Sequence, residues 1–194
     1  MHRFDFPGWL LLGAFPDPED DGVGSWLLHH GGDAMLLEVP PGVSPGDVSA
    51  GLAAVGGTLR YATASHDHED HFDPDVWAAL RAAFPAAEFI PPAARQGTRR
   101  YALGGEPVYR VAAPKHSRTD AVTVFRGVAM TGDIELGRLP SVNREVAARD
   151  KARSMDYYRD FPDRTGYHVH TVVSAHLNDV RRGVDWRRLF EYRS

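Results

Sequence analysis

The chain has 194 residues, a formal net charge of −4 and a hydrophobic share of 43%. That length suits one domain with a sizeable core, and the slightly negative balance argues against a strongly basic nucleic-acid binder or a cationic membrane protein. There is no cysteine, which excludes disulfides, thiolate metal sites, cysteine nucleophiles and iron–sulfur clusters, so any metal must be held by nitrogen and oxygen. No apolar run approaches membrane-spanning length, and the opening Met1-His2-Arg3-Phe4-Asp5 lacks the basic start of an export signal. A soluble, cytoplasmic protein is expected.

Glycine and proline, 19 and 14 residues, punctuate the chain often and leave short apolar runs between them. Brief strands and a few helices are predicted. The first strands fall at Trp9–Phe15, Ser25–His30 and Ala34–Val39. The acidic turn Asp17-Pro18-Glu19-Asp20-Asp21-Gly22 separates the first two, and Gly31-Gly32-Asp33 the next two. A helix should follow, with Ser44 as N-cap, Pro45 in the first position, Val48, Leu52 and Val55 on one face, and Gly56-Gly57 as its stop. Leu59–Ala64 reads as a buried strand. Asp73 and Pro74 open a second helix whose stripe is Val76, Ala79, Leu80, Ala83 and Phe84, and Pro85 ends it. Further strands are expected at Glu88–Ile90, Pro107–Ala112 and Ala121–Thr131, the last with a turn at Arg126-Gly127. Val142 to about Phe161 is helical in pattern, Tyr167–Ser174 alternates as a strand, and Asp185–Tyr192 reads as a closing helix. Strands alternating with helices give an α/β class, and no linker divides residues 1–194, so a single domain is expected.

Between the fourth strand and the second helix lies Ser65-His66-Asp67-His68-Glu69-Asp70-His71-Phe72-Asp73-Pro74. Its skeleton is H-x-H-x-D-H, and neutral imidazole and carboxylate are good ligands for zinc and serviceable ones for iron or manganese. In extended backbone His66 and His68 point the same way and can grip one metal, while Asp70 and His71 are offset toward a second. Three further residues of ligand type close predicted strands: His116 in Ala113-Pro114-Lys115-His116-Ser117, Asp133 in Thr131-Gly132-Asp133, and His176 after Ala175. Each is weak alone, because a lone histidine is more often structural and Gly-Asp is common turn chemistry.

Together, His66, His68, Asp70, His71, His116, Asp133 and His176 stand in the order and at spacings that resemble the metallo-β-lactamase-fold hydrolase superfamily, in the broad sense that includes glyoxalase II. The resemblance runs from about residue 22 to 177. Ser25-Trp26-Leu27-Leu28 with Ala34–Val39 resembles the opening hairpin, and Ala152-Arg153-Ser154-Met155-Asp156 the helix before the last ligand. It implies a four-layer αββα sandwich with the site at one edge, between two sheets. It also implies two divalent metal ions, zinc first with iron or manganese as alternatives. His66, His68 and His116 would hold one ion, and Asp70, His71 and His176 the other. Asp133 would bridge them, and Asp70 would also orient the attacking water.

The chain departs from the family pattern at three places. Glu38 stands near a supporting aspartate, Phe72-Asp73-Pro74 replaces a pair of glycines, and Pro114-Lys115-His116-Ser117 replaces P-G-H-T. The implied activity is hydrolysis of an ester-like bond (thioester, lactone or phosphoester) in a small molecule by a metal-bridging hydroxide. Lys115 and Arg118 flank His116 and are candidate contacts for an anionic substrate group. Two alternatives on the same fold are a mononuclear non-haem iron sulfur dioxygenase and a non-catalytic metal-binding regulatory module. No nucleic-acid or membrane partner is expected.

Overall fold

The computed structural model describes residues 4–17, 20–138 and 145–192. Two sheets organise them. The first runs in the order β1 (Trp9–Asp17), β2 (Asp20–His30), β3 (Asp33–Leu37), β4 (Thr58–Thr63) and β5 (Glu88–Ile90). Its first three strands pair antiparallel, with β2 and β3 joined at Gly31 and Gly32, both at positive φ. The β3–β4 and β4–β5 pairs are parallel, so each connection crosses over through a helix. These helices are α1 (Pro45–Val55) and α2 (Pro74–Ala83).

Local chemistry accounts for both helix starts. Ser44 Oγ accepts the Asp47 amide at 3.2 Å, and the Asp47 carboxylate accepts the Ser44 amide at 2.9 Å, a reciprocal box that satisfies two otherwise unpaired donors. Gly56 at φ +63° closes α1. The Asp73 carboxylate accepts the amides of Asp75 and Val76 at 2.7 and 3.0 Å at the start of α2.

The second sheet takes the order β11 (Val180–Arg182), β10 (Thr171–Val173), β9 (Val128–Met130), β8 (Ala121–Phe125), β7 (Glu106–Ala112) and β6 (Gly97–Leu103). Phe125 pairs with Val128 across a two-residue turn, Arg126 and Gly127, with φ +50° and +75°. Both are left-handed, as a tight hairpin turn of this kind requires. The parallel β9–β10 pair is bridged by α3 (Ala148–Arg159) and α4 (Phe161–Thr165). A last short helix, α5 (Trp186–Leu189), follows β11.

Period-two alternation sorts the strand side chains into three cores. Trp26, Leu28, Met35 and Leu37 from the first sheet meet Val108, Phe125, Met130 and Val173 from the second. The opposite face of the first sheet, Leu27, Leu36 and Ala62, packs on Val48 and Leu52 of α1 and Trp77 and Leu80 of α2. The opposite face of the second, Val111, Val122, Val124 and Val172, packs on Met155, Tyr158, Phe161, Trp186 and Phe190. The result is the expected αββα sandwich. No described helix is long and apolar enough to cross a membrane.

Several elements differ from the sequence expectation. The strands β6 and β11 carry no apolar run and lie at the two edges of their sheet, where one side of the ladder has no partner. The long helical stretch begins only at Ala148 and breaks after Arg159, where Pro162 sits in the first turn of a new helix. Residues 139–144 of that stretch, and Pro18-Glu19 of the acidic turn, lie outside the described residues. The strand expected over Tyr167–Ser174 contracts to Thr171–Val173, matching the three-residue β9 with which it pairs.

Removing the cap oxygen of α1 should cost stability alone. Ser44→Ala should lower the unfolding free energy by about 1 kcal/mol in urea titration and leave bound metal unchanged.

Candidate metal centre

Four strand ends supply the donors. The loop after β4 carries His66, His68, Asp70 and His71, the loop after β7 carries His116, the turn after β9 carries Asp133, and the turn after β10 carries His176. All seven sequence-predicted donors converge. They form two groups, His66 with His68 and His116, and Asp70 with His71, Asp133 and His176. Within each group one donor atom per residue lies within 4.8 Å of every other.

In the first group, His68 Nδ1 is 3.1 Å from His66 Nε2 and 3.3 Å from His116 Nε2. In the second, His71 Nε2 is 3.3 Å from both Asp70 Oδ2 and Asp133 Oδ1. His176 Nε2 is 3.5 and 3.4 Å from the same two oxygens. Asp133 faces both groups, because its other oxygen, Oδ2, lies 3.8 Å from His66 Nε2 and from His116 Nε2.

The residues fit a pair of cations. His71 Nε2 and Asp133 Oδ1 are sealed from solvent and make no hydrogen bond, although polar atoms crowd round them. Buried polar atoms without partners are costly, and a shared cation satisfies such a set. The protonation tendencies agree. Burial pushes the His66 imidazole well below its ordinary pKa, with the neighbouring histidines adding to this, so the ring is held in the neutral, ligating form. For His71 burial also acts downward, but Asp133, Asp70 and Glu38 outweigh it and raise the ring well above its usual value. Burial would raise Asp133, yet the His176 and His71 imidazoles close to it hold it below the usual carboxylate range. The second group is therefore rich in negative charge and calls for a cation.

A surrounding set of partners fixes the far nitrogen of several rings. His66 Nδ1 lies 2.9 Å from Ser65 Oγ. His68 Nε2 lies 3.1 Å from Glu145 Oε1, an arrangement that places the ring proton on Nε2 and leaves the Nδ1 lone pair toward His66 and His116. His71 Nδ1 is 3.4 Å from Glu38 Oε2, whose Oε1 accepts the Ser65 amide at 3.0 Å. Glu38 is fully buried and adopts φ +69°, a strained value for a side chain of this size. It thus stands where the sequence placed a substitute for a supporting aspartate, and it touches both the start and the end of the histidine loop.

The His116 loop is built on Asp120. Its Oδ2 accepts the amides of Lys115, His116 and Ser117 at 2.8, 2.5 and 3.0 Å. Thr119 joins this loop to the histidine loop: its hydroxyl donates to Asp67 Oδ1 at 2.6 Å and accepts the Asp67 amide at 3.1 Å. Tyr158, fully buried, donates to the Ala113 carbonyl at 2.6 Å and accepts the Ala113 amide at 3.2 Å. Gly132 is needed for close approach. It has φ +58°, and a Cβ there would meet Ser65 Cβ and Oγ at 2.9 Å.

Lys115, a candidate substrate contact in the sequence, is turned away from solvent. It is fully buried, and its Nζ donates to Glu135 Oε2 at 2.9 Å, because the Asp120 turn directs it inward beside the next strand end. Burial acts to raise Glu135, but His116 and Lys115 outweigh it and hold the carboxyl at about 2. Arg118 is exposed and lines a cleft of about 460 Å3 with Glu145 and Arg153. A second cleft of about 430 Å3 borders Asp133 and His176 on the other side, with Arg138 and Asn178 in its wall. Sequence reading missed Glu145, Glu135, Asp120 and Thr119, which carry no motif and become neighbours of the histidines only through folding.

A scan against protein-family models finds no match, and a search of curated proteins finds none either. Solved structures do match. A metallo-β-lactamase family protein from Thermus thermophilus is 17% identical, with 95% of this chain and 77% of that one covered and a TM-score of 0.60. BLEG-1, a B3 metallo-β-lactamase, is 15% identical over 90% of this chain and 93% of its own, at a TM-score of 0.61. ETHE1 from Myxococcus xanthus is 17% identical over 92% and 82%, at 0.58. The chain has the metallo-β-lactamase fold, with a histidine and aspartate cluster able to hold metal at its edge.

Two substitutions test the support of this cluster. Glu145→Ala should weaken metal binding about 10–100-fold in chelator competition while leaving the unfolding midpoint of the metal-free chain nearly unchanged. Gly132→Ala should lower metal affinity and stability together, since it strains the turn and pushes on Ser65, which holds His66.

Proposed function

We propose that the chain is a metal-dependent hydrolase that cleaves an ester-like bond (thioester, lactone or phosphoester) in a small molecule. The observation that carries this reading is the Asp133 carboxylate, with one oxygen toward His66 and His116 and the other toward His71 and His176. His66, His68 and His116 would hold one divalent ion, Asp70, His71 and His176 a second, and Asp133 both. Zinc suits the set best, with iron and manganese as alternatives. Ions bound there lower the pKa of water from about 15.7 toward about 7 and polarise a carbonyl or phosphoryl oxygen.

The chain's own groups divide the remaining work. Asp70 turns Oδ2 toward His71 and His176, and its side chain is 27% exposed, so this carboxylate is the group to orient water and take its proton. His71, with no exposed side-chain surface, holds Asp70 and Asp133 apart at fixed distance. The flanking clefts, about 460 and 430 Å3, suit a small molecule, and Arg118 and Arg138 set guanidinium groups among the carboxylates of their walls.

Elemental analysis of the purified chain, combined with a screen of thioester, lactone and phosphodiester substrates, tests the reading. Close to two metal ions per chain are expected. Chelation, His66→Ala and Asp133→Ala should each reduce hydrolysis to background, with Asp133→Ala lowering the content of both ions. Full esterase activity from metal-free protein would overturn the assignment. Stoichiometric iron with oxygen uptake in place of hydrolysis would move the reaction to the oxygenase alternative.

A further inference from the structure

Away from the histidine cluster, β7 carries a charged residue in an unexpected place. Arg110 is only 6% exposed. Val108, two positions earlier on the same strand, belongs to the core between the two sheets, so Arg110 projects to that side as well. Its Nη2 donates to the Ala64 carbonyl at 3.2 Å, while its Nε is sealed from solvent and makes no hydrogen bond. Among the described residues no carboxylate forms an ion pair with this guanidinium. Burial is the largest influence on it and pushes its pKa down, while Tyr101, Tyr158 and the buried Glu38 carboxylate act the other way without pairing with it; an arginine keeps its proton, so the cation inside the protein is compensated only from a distance.

Arg110 lines a cavity of about 420 Å3. Arg95 and Arg99 stand on the exposed rim of the same cavity, with Gln96 and Thr98 between them, and no acidic residue is among those that line it. Arg99 is the register partner of Arg110 across the β6–β7 ladder, which sets two guanidinium-bearing residues side by side. Three like charges around one void repel each other and attract an anion. Guanidinium also has the planar fork that matches carboxylate and phosphate oxygens.

We propose that this cavity is an oxyanion-binding site, with Arg110 at its base and Arg95 and Arg99 at its mouth, that takes the phosphate or carboxylate group of a small molecule. Gln96 lines both this cavity and the cleft that contains Arg118 and Glu145, so the two spaces share a wall. On the hydrolase reading, on which this last step alone rests, the bound group is the anionic end of the substrate.

The test is equilibrium binding of inorganic phosphate, and in a parallel arm succinate, to the metal-loaded chain. Arg95→Ala/Arg99→Ala changes only exposed side chains and so keeps the fold, and Arg110→Met removes the buried charge. Binding of at least one of the two anions is expected, the tighter arm identifying the group preferred. It should weaken about tenfold or more in the double variant, the scale of losing charge-assisted hydrogen bonds, with metal content unchanged. Arg110→Met should abolish it. Equal affinity in the double variant and the original chain would place the anion at the metals and overturn the proposal, as would the absence of binding in both arms. The hydrolase reading is decided separately, by the loss of turnover in Asp133→Ala.

Discussion

The carboxylate of Asp133 is the point on which the site depends. It sits in the turn after a three-residue strand, β9, whose side chains are all buried, and the glycine before it lets the turn lie against Ser65. From that position its two oxygens reach imidazoles carried by three separate loops. A shift of the turn would disturb both donor groups at once. The apolar sandwich therefore serves the centre by holding the strands from which the donor loops spring, since groups carried by a packed scaffold are placed more precisely than groups on free loops.

Around this point the chain holds polar groups that cost stability unless they are paired. Glu38 is buried at positive φ, Asp120 is buried among three amides, and Lys115 is buried against Glu135. Each stabilises a loop rather than the core. Asp120 replaces the hydrogen bonds that three turn amides would make to water, and Glu38 links the beginning of the histidine loop to its end. Removing a partner from such a network costs more than the network adds in net stability, because the remaining group stays buried and unsatisfied.

Much of this was legible in the sequence, and the boundary is physical. The helices α1 and α2 announce themselves through caps, proline positions and apolar stripes, all of which are local. The strands β2, β3, β4 and β8 show as apolar runs because each packs on two layers. The edge strands β6 and β11 gave no such signal: one is Gly-Thr-Arg-Arg-Tyr-Ala-Leu and the other Val-Arg-Arg, and only their ladders define them. The donors of the site were readable because H-x-H-x-D-H is compact and the other three follow strands in order. Of their supports only Glu38 was, since Glu145 and His68 are 77 positions apart and nothing in either neighbourhood marks the pair. Lys115 looked like a substrate contact for the converse reason, since loop position alone does not reveal that a side chain turns inward.

The distribution of donors over the two sheets has a wider consequence. The loop from residue 66 to 71 leaves the first sheet, whereas His116, Asp133 and His176 leave the second. Between these layers lie an apolar core and a few hydrogen bonds such as Ala121 N to Ser65 O. An ion gripped from both sides acts as a rivet between two plates. Metal supply in the cell would then govern the lifetime of the folded chain as well as its chemistry, so that scarcity of the ion shortens the protein's survival against proteolysis.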